Sequence, residues 1–179
     1  MRIRFAMSAV LAAAVVASIP AAALDMPSRK PGLWEMGMSF EGGAAAGHTM
    51  TSQHCIDANS DKAMNALGSP ADKCTKMALD KTASGYVFDS ECDAGTGPMQ
   101  SHGVITGSFD SAYTMDITAK HLGAPPPGMP ASSHMKIAAK WLGTCKADQK
   151  PGDVIMPNGM KMNLLEMKGR APGGAPPKP

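Results

Sequence analysis

The sequence predicts a mainly β protein: an antiparallel meander of about seven strands, forming a curved sheet or partly closed barrel, with one short helix packed on it. Three observations lead there. Apolar and polar residues alternate with period two over several stretches. Gly (19) and Pro (15) are too frequent for a chain of long helices. Only one stretch, Asp57 to Leu67, carries helix start and stop signals.

The elements follow in order. Residues 24–32 are a polar, Pro-rich lead-in. From Leu33 to Glu41, Trp34, Met36, Met38 and Phe40 point one way, while Glu35, Gly37, Ser39 and Glu41 point the other. His48 to Ile56 returns as a partner strand, with Met50 and Ile56 on one face and Thr49, Thr51, Gln53 and Cys55 on the other. Asp57 caps the helix, and Gly68 with Pro70 stops it. Cys74 to Cys92 reads as a hairpin turning at Ala83-Ser84-Gly85, and Met99 to Lys120 as a second one about Asp110-Ser111. In the latter, Tyr113, Met115, Ile117 and Ala119 point inward. The run 121–131 is a Pro-rich connector. Ser133 to Cys145 is the clearest strand, with Met135, Ile137, Ala139, Trp141 and Cys145 on one face. A small hairpin about Pro157-Asn158-Gly159 and a helical turn at 164–168 follow; the last ten residues contain no core former.

Residues 1–23 have the layout of a secretory signal: Arg2 and Arg4, an apolar run, and small residues before a cut at Leu24. A single β domain over 24–146 and a C-terminal extension over 147–179 are expected behind it. Removing Arg2 and Arg4 from the 17 cationic residues leaves 15 against 15 anionic ones. A neutral chain has no long-range field for nucleic acid. No second long apolar run exists, so no stable membrane insertion is expected after cleavage. Location in the periplasm or outside the cell follows.

Cys55, Cys74, Cys92 and Cys145 all follow the cut, and an even count in an exported chain reads as two disulfides. Cys74 and Cys92 are equidistant from the turn at residue 83, which favours that pair together with Cys55–Cys145. The rival is Cys55–Cys74 with Cys92–Cys145.

Several motifs gather into one pattern: KPGLWE at 30–35, QHC at 53–55, KCT at 73–75, SEC at 90–92, Gly103, YTM at 113–115 and KWLGTC at 140–145. The pattern resembles the DUF3617 family of exported bacterial proteins. QHC where the family has QC, and the extension after Cys145, depart from it. The resemblance implies fold and location and supplies no catalytic residues.

Motifs for nucleophilic, metalloprotease, P-loop or dinucleotide chemistry are missing. Gly95-Thr96-Gly97 leads into Pro98 without a helix start, and Asp89, Glu91 and Asp93 read as a solvated strand face. The expectation is therefore a non-enzymatic protein without a cofactor.

Methionine is the anomaly: 14 of 16 follow the cut, beside only seven aromatic residues. Met can fill a core in place of Phe and Leu. A barrel lined by Trp34, Met36, Met38, Phe40, Met115, Ile117, Met135 and Trp141 can instead hold a small hydrophobic ligand, given a cavity of at least about 300 Å³. Soft metal is the third reading, because thioethers and imidazoles suit Cu(I). His48, Met50 and His54 share strand parity there, with His102 as a possible neighbour, although the three span about 20 Å of extended chain. The sequence points to an envelope accessory protein binding a hydrophobic ligand, with copper binding or oxidant scavenging as the alternative.

Overall fold

The computed structural model describes residues 26–42, 46–68, 73–93 and 95–167. The expected signal segment and Pro/Gly-rich tail lie outside the described residues.

Among the described residues nine strands and two helices follow one another: β1 (Gly32–Glu41), β2 (Thr49–Ile56), α1 (Ala58–Gly68), β3 (Cys74–Lys81), β4 (Gly85–Asp93), β5 (Pro98–Ser108), β6 (Ala112–His121), β7 (Ser132–Gly143), β8 (Asp153–Ile155), β9 (Lys161–Asn163) and α2 (Leu164–Met167). All strands join one antiparallel sheet in the order β3-β4-β5-β6-β7-β1-β2-β8-β9, which stays open. The meander is thus continuous from β3 to β7, and β1 docks on β7. The small C-terminal hairpin is a structural part of the sheet, because Val154 pairs with His54 and Ile155 with Gln53.

Alternation sets which face is buried. The core holds Trp34, Ile56, Ile105, Tyr113 and Ala139, with Met36, Met115, Phe88 and Phe109 packed against it. Trp34 is wholly buried. Its indole Nε1–H donates to the Lys30 carbonyl at 2.8 Å, so the ring is buried without an unpaired donor. The opposite face is polar: His134 bridges Glu41 and Asp116, with Lys136 beside them.

The segments 30–34 and 141–143 interlock. The Trp141 indole N–H donates to the Pro31 carbonyl at 3.1 Å, and the Lys30 ammonium lies 3.7 Å from the centre of the Trp141 ring. Between them Gly32 has φ +131°, and a Cβ there would stand 2.3 Å from the Gly143 carbonyl oxygen. Only glycine permits so close a backbone approach in that conformation.

Both disulfides take the favoured pairing, Cys55–Cys145 and Cys74–Cys92. Each relies on a bulge. The β3–β4 turn is centred half a residue past 83, since Lys81 faces Tyr86; an irregularity between Cys74 and Lys76 restores Cys74 opposite Cys92. Cys145 was expected on the face of Trp141, away from Cys55. A register shift between Leu33 and Trp34, where Trp34 faces Trp141 but Leu33 faces Gly143, reverses the alternation and lets Cys145 meet Cys55. Cys55 itself is fully buried despite its polar parity, under the bridge and the segment whose Gly152 N–H donates to its carbonyl.

α1 begins at a reciprocal cap. The Asp57 carboxylate accepts the Ser60 N–H at 2.8 Å, and the Ser60 hydroxyl oxygen accepts the Asp57 N–H at 2.8 Å. The Ser60 N–H, and after it the Ser60 hydroxyl donating to the same carboxylate oxygen at 2.8 Å, hold the Asp57 pKa below its ordinary value.

Candidate functional site

The concave face of the sheet encloses a cavity of about 520 Å³. Its floor is built by adjacent strands in register. Met115 of β6 faces Ile137 of β7, Ile117 faces Met135, and Met36 of β1 lies two positions along the same face from Met38, which also faces Ile137. Phe88, Met99 and Met77 extend the wall across β4, β5 and β3. His54 on β2 also lines the cavity. In a flat sheet β3 and β2 would stand about 30 Å apart across six interstrand spacings. Their sharing one cavity measures how strongly the sheet curls.

The lead-in and the helix complete the enclosure through Met26, Pro27, Arg29, Met64 and Asn65. What holds them is a buried ion pair. Arg29 Nε donates to Asp61 Oδ1 at 2.7 Å, and the Arg29 backbone N–H donates to Oδ2 at 2.8 Å. Side-chain exposures of 7% and 1% leave neither partner accessible to water for compensation. Asp61, in the first turn of α1, is thereby tied to the chain entering β1. The terminal guanidinium nitrogens also meet thioethers: Nη1 is 3.5 Å from Met36 Sδ and Nη2 3.5 Å from Met64 Sδ. Tyr113 lies in the same cluster, its ring 4.6 Å from Phe109 and 5.8 Å from Trp34 between centroids. Burial raises its pKa.

His54 stands in this polar corner. Its Nε2 is 2.9 Å from the Ser52 hydroxyl, while its buried Nδ1 has no partner among the described residues. Burial first, and the Arg29 charge second, push the pKa down to about 4, so the ring is neutral at physiological pH.

The residues singled out from sequence fall in different places. Met36, Met115, Ile117 and Met135 line the cavity. Trp34 is sealed in the core against Tyr113, Trp141 sits under Lys30, and Met38 and Phe40 lie outside the cavity lining. His48 is exposed before β2, Met50 faces Met38, and only His54 of the three metal candidates reaches the cavity. His102 is on the other face, 2.9 Å from Asp89. Among the described residues no group of three or more His, Cys, Asp or Glu could hold a metal ion. Sequence reasoning missed Arg29, Met64, Met77, Phe88 and Met99 as cavity residues. Strand parity could have added Met77 and Phe88; nothing local signals Arg29, whose partner is 32 residues away.

A second, polar cleft of about 440 Å³ lies at the C-terminal hairpin. Its charges answer one another, Lys150 with Glu166 and Lys161 with Asp148.

Fold and site define a class: an open antiparallel β protein, clamped by two disulfides, with a Met-rich apolar cavity on its concave face. Two disulfides fit an oxidising, extracytoplasmic compartment, and no helix among the described residues is long and apolar enough to cross a membrane. A family model described as "Protein of unknown function (DUF3617)" matches residues 29–145, more than half of the chain, and the protein belongs to that family. Comparison with curated proteins and with solved structures returns no match.

Proposed function

We propose that this is an exported, periplasmic, non-enzymatic protein that binds a small hydrophobic ligand in the cavity on the concave face. The observation that carries the reading is the cavity itself. Its volume of about 520 Å³ falls within the usual range for small-molecule sites, and Met, Phe, Tyr and Ile dominate its lining. Thioether chains adapt to irregular apolar shapes, which suits a flexible ligand. The ion pair of Arg29 with Asp61 keeps the helix over the ligand without placing a net charge beside it.

The test is titration with the apolar dye N-phenylnaphthylamine. Saturable fluorescence enhancement is expected, weakened at least about tenfold in Met115→Trp, whose indole would occupy the space. Far-ultraviolet circular dichroism checks that the variant retains its sheet; Met135→Phe is the milder substitute. Absence of saturable binding to the wild type would end the proposal.

A second reading is soft-metal binding, supported by seven methionines and His54 sharing one cavity. The Arg29 guanidinium touching two of those thioethers weighs against a cation. Native mass spectrometry of protein taken from its own envelope separates the readings: a lipid adduct supports the first, a copper adduct the second.

A further inference from the structure

We propose that the cavity's occupant is an uncharged amphiphile bearing a hydroxyl group, which hydrogen-bonds to His54 Nδ1 while the apolar chain lies along the methionine-lined floor. The inference rests on the reading of the cavity as an apolar ligand site and specifies the polar end of that ligand.

Among the described residues, His54 Nδ1 is the one buried side-chain nitrogen or oxygen without a hydrogen-bond partner. Leaving such an atom unpaired is unfavourable, and folded proteins rarely do so. The residue lines the cavity, and a turn of its ring that brings the buried Nδ1 to the cavity surface would let a ligand supply the missing partner. The other ring nitrogen is engaged by the Ser52 hydroxyl, which can donate or accept. A neutral imidazole therefore presents Nδ1 either as an acceptor or as an N–H donor. A hydroxyl satisfies both tautomers; an ether, a thioether or a hydrocarbon cannot.

Charge narrows the class further. The positive group nearest this corner, Arg29, is already matched by the Asp61 carboxylate through two hydrogen bonds. A second carboxylate brought beside them would leave a net negative charge out of water. A cationic head would face the guanidinium. Lys73 also lines the cavity, but its side chain is exposed, so it does not change the charge of the buried corner. A long-chain alcohol and a monoacylglycerol share the required chemistry: one flexible apolar chain and an uncharged hydroxyl end.

The experiment is displacement of N-phenylnaphthylamine by decanol, monodecanoylglycerol, decanoate and decane. Decanol is expected to displace the dye about tenfold more effectively than decane, the equivalent of one net hydrogen bond, and decanoate to be weaker than decanol. In His54→Leu the advantage of decanol over decane, each measured relative to that variant's own dye affinity, should shrink to within about twofold. Comparison of decanol with monodecanoylglycerol distinguishes the two sources of the hydroxyl. Should His54→Leu fail to fold, the ring-nitrogen NMR signals of the wild type decide: Nδ1 must shift with decanol and stay in place with decane. Equal displacement by decanol and decane, tighter binding of decanoate, an unshifted Nδ1, or an undiminished preference in folded His54→Leu would each overturn the proposal. A wild type that takes neither dye nor any of the four compounds overturns the underlying reading and this one with it. Dye binding without hydroxyl preference overturns this one alone.

Discussion

Removing the two disulfides one at a time should destabilise the protein unequally, and their places in the chain give the size of the difference. The Cys55–Cys145 bridge closes a separation of 90 residues and Cys74–Cys92 one of 18, nested inside it. Loop-closure entropy assigns about 3.2 kcal/mol to the inner bridge. For the outer bridge it gives about 4.6 kcal/mol alone, or about 4.4 kcal/mol once the inner bridge shortcuts the loop. The expected loss is therefore about 1 kcal/mol greater for Cys55→Ala/Cys145→Ala than for Cys74→Ala/Cys92→Ala. Truncation of the fully buried Cys55 adds to that difference in the same direction. The assay is urea unfolding of the oxidised proteins, followed by the emission of buried Trp34. With a slope of about 2 kcal/mol/M, the midpoints should fall by about 2.2 M and 1.6 M. Free energies extrapolated to water are the quantities to compare, because losing a cross-link also expands the unfolded chain and raises the slope. A larger loss from the inner pair, or losses below about 1 kcal/mol from both, would refute the loop argument.

Other outcomes follow from the same structure. Arg29→Met should destabilise by about 3–5 kcal/mol, because Asp61 is left unpaired and buried, whereas Arg29→Met/Asp61→Leu should regain most of the loss; a double variant no more stable than the single one in urea would contradict this. Gly103→Ala places a Cβ 2.0 Å from the Phe88 ring, which must move toward the cavity, so a loss of about 1–3 kcal/mol and weaker dye binding are expected, partly relieved by Phe88→Leu. Hydrogen bonds that His134 donates to Asp116 and then to Glu41 raise its pKa above 6.5, while His134 lowers both carboxylates from their ordinary 3.8 and 4.5. The histidine part of this stabilisation is complete below 6.5 and is lost as pH rises through the raised folded value; the carboxylate part is present above 4.5 and is lost as pH falls. The stability difference between wild type and His134→Gln should accordingly peak between those limits, and one that grows from about pH 6 to about pH 9 would contradict the assignment.

The alternation of Leu33 to Glu41 and of Ala112 to Lys120 was enough to read β1 and β6, because one face of each is buried and period two then has no competitor. The symmetry of Cys74 and Cys92 about a turn found their pairing. What alternation cannot display is a bulge: one unpaired residue reverses the facing of everything beyond it, which is why Cys145 was placed on the wrong face while its partner was chosen correctly. Parity likewise joined His48, Met50 and His54, yet says nothing of where along a strand a cavity begins, and only His54 lies at that end. The enclosure by Arg29 and Asp61 was not legible, since a long-range ion pair leaves no periodic trace in either segment.

The pairing of β8 with β2 has a consequence for self-association. Without that hairpin, β2 would be the last strand of the sheet, offering free N–H and C=O groups at Gln53 and His54 to any extended chain nearby. The hairpin replaces that long margin with a three-residue strand, and Lys161 puts a charge upon it. The residues beyond the family match thus act as a selvedge, finishing the sheet where it would otherwise fray into its neighbours.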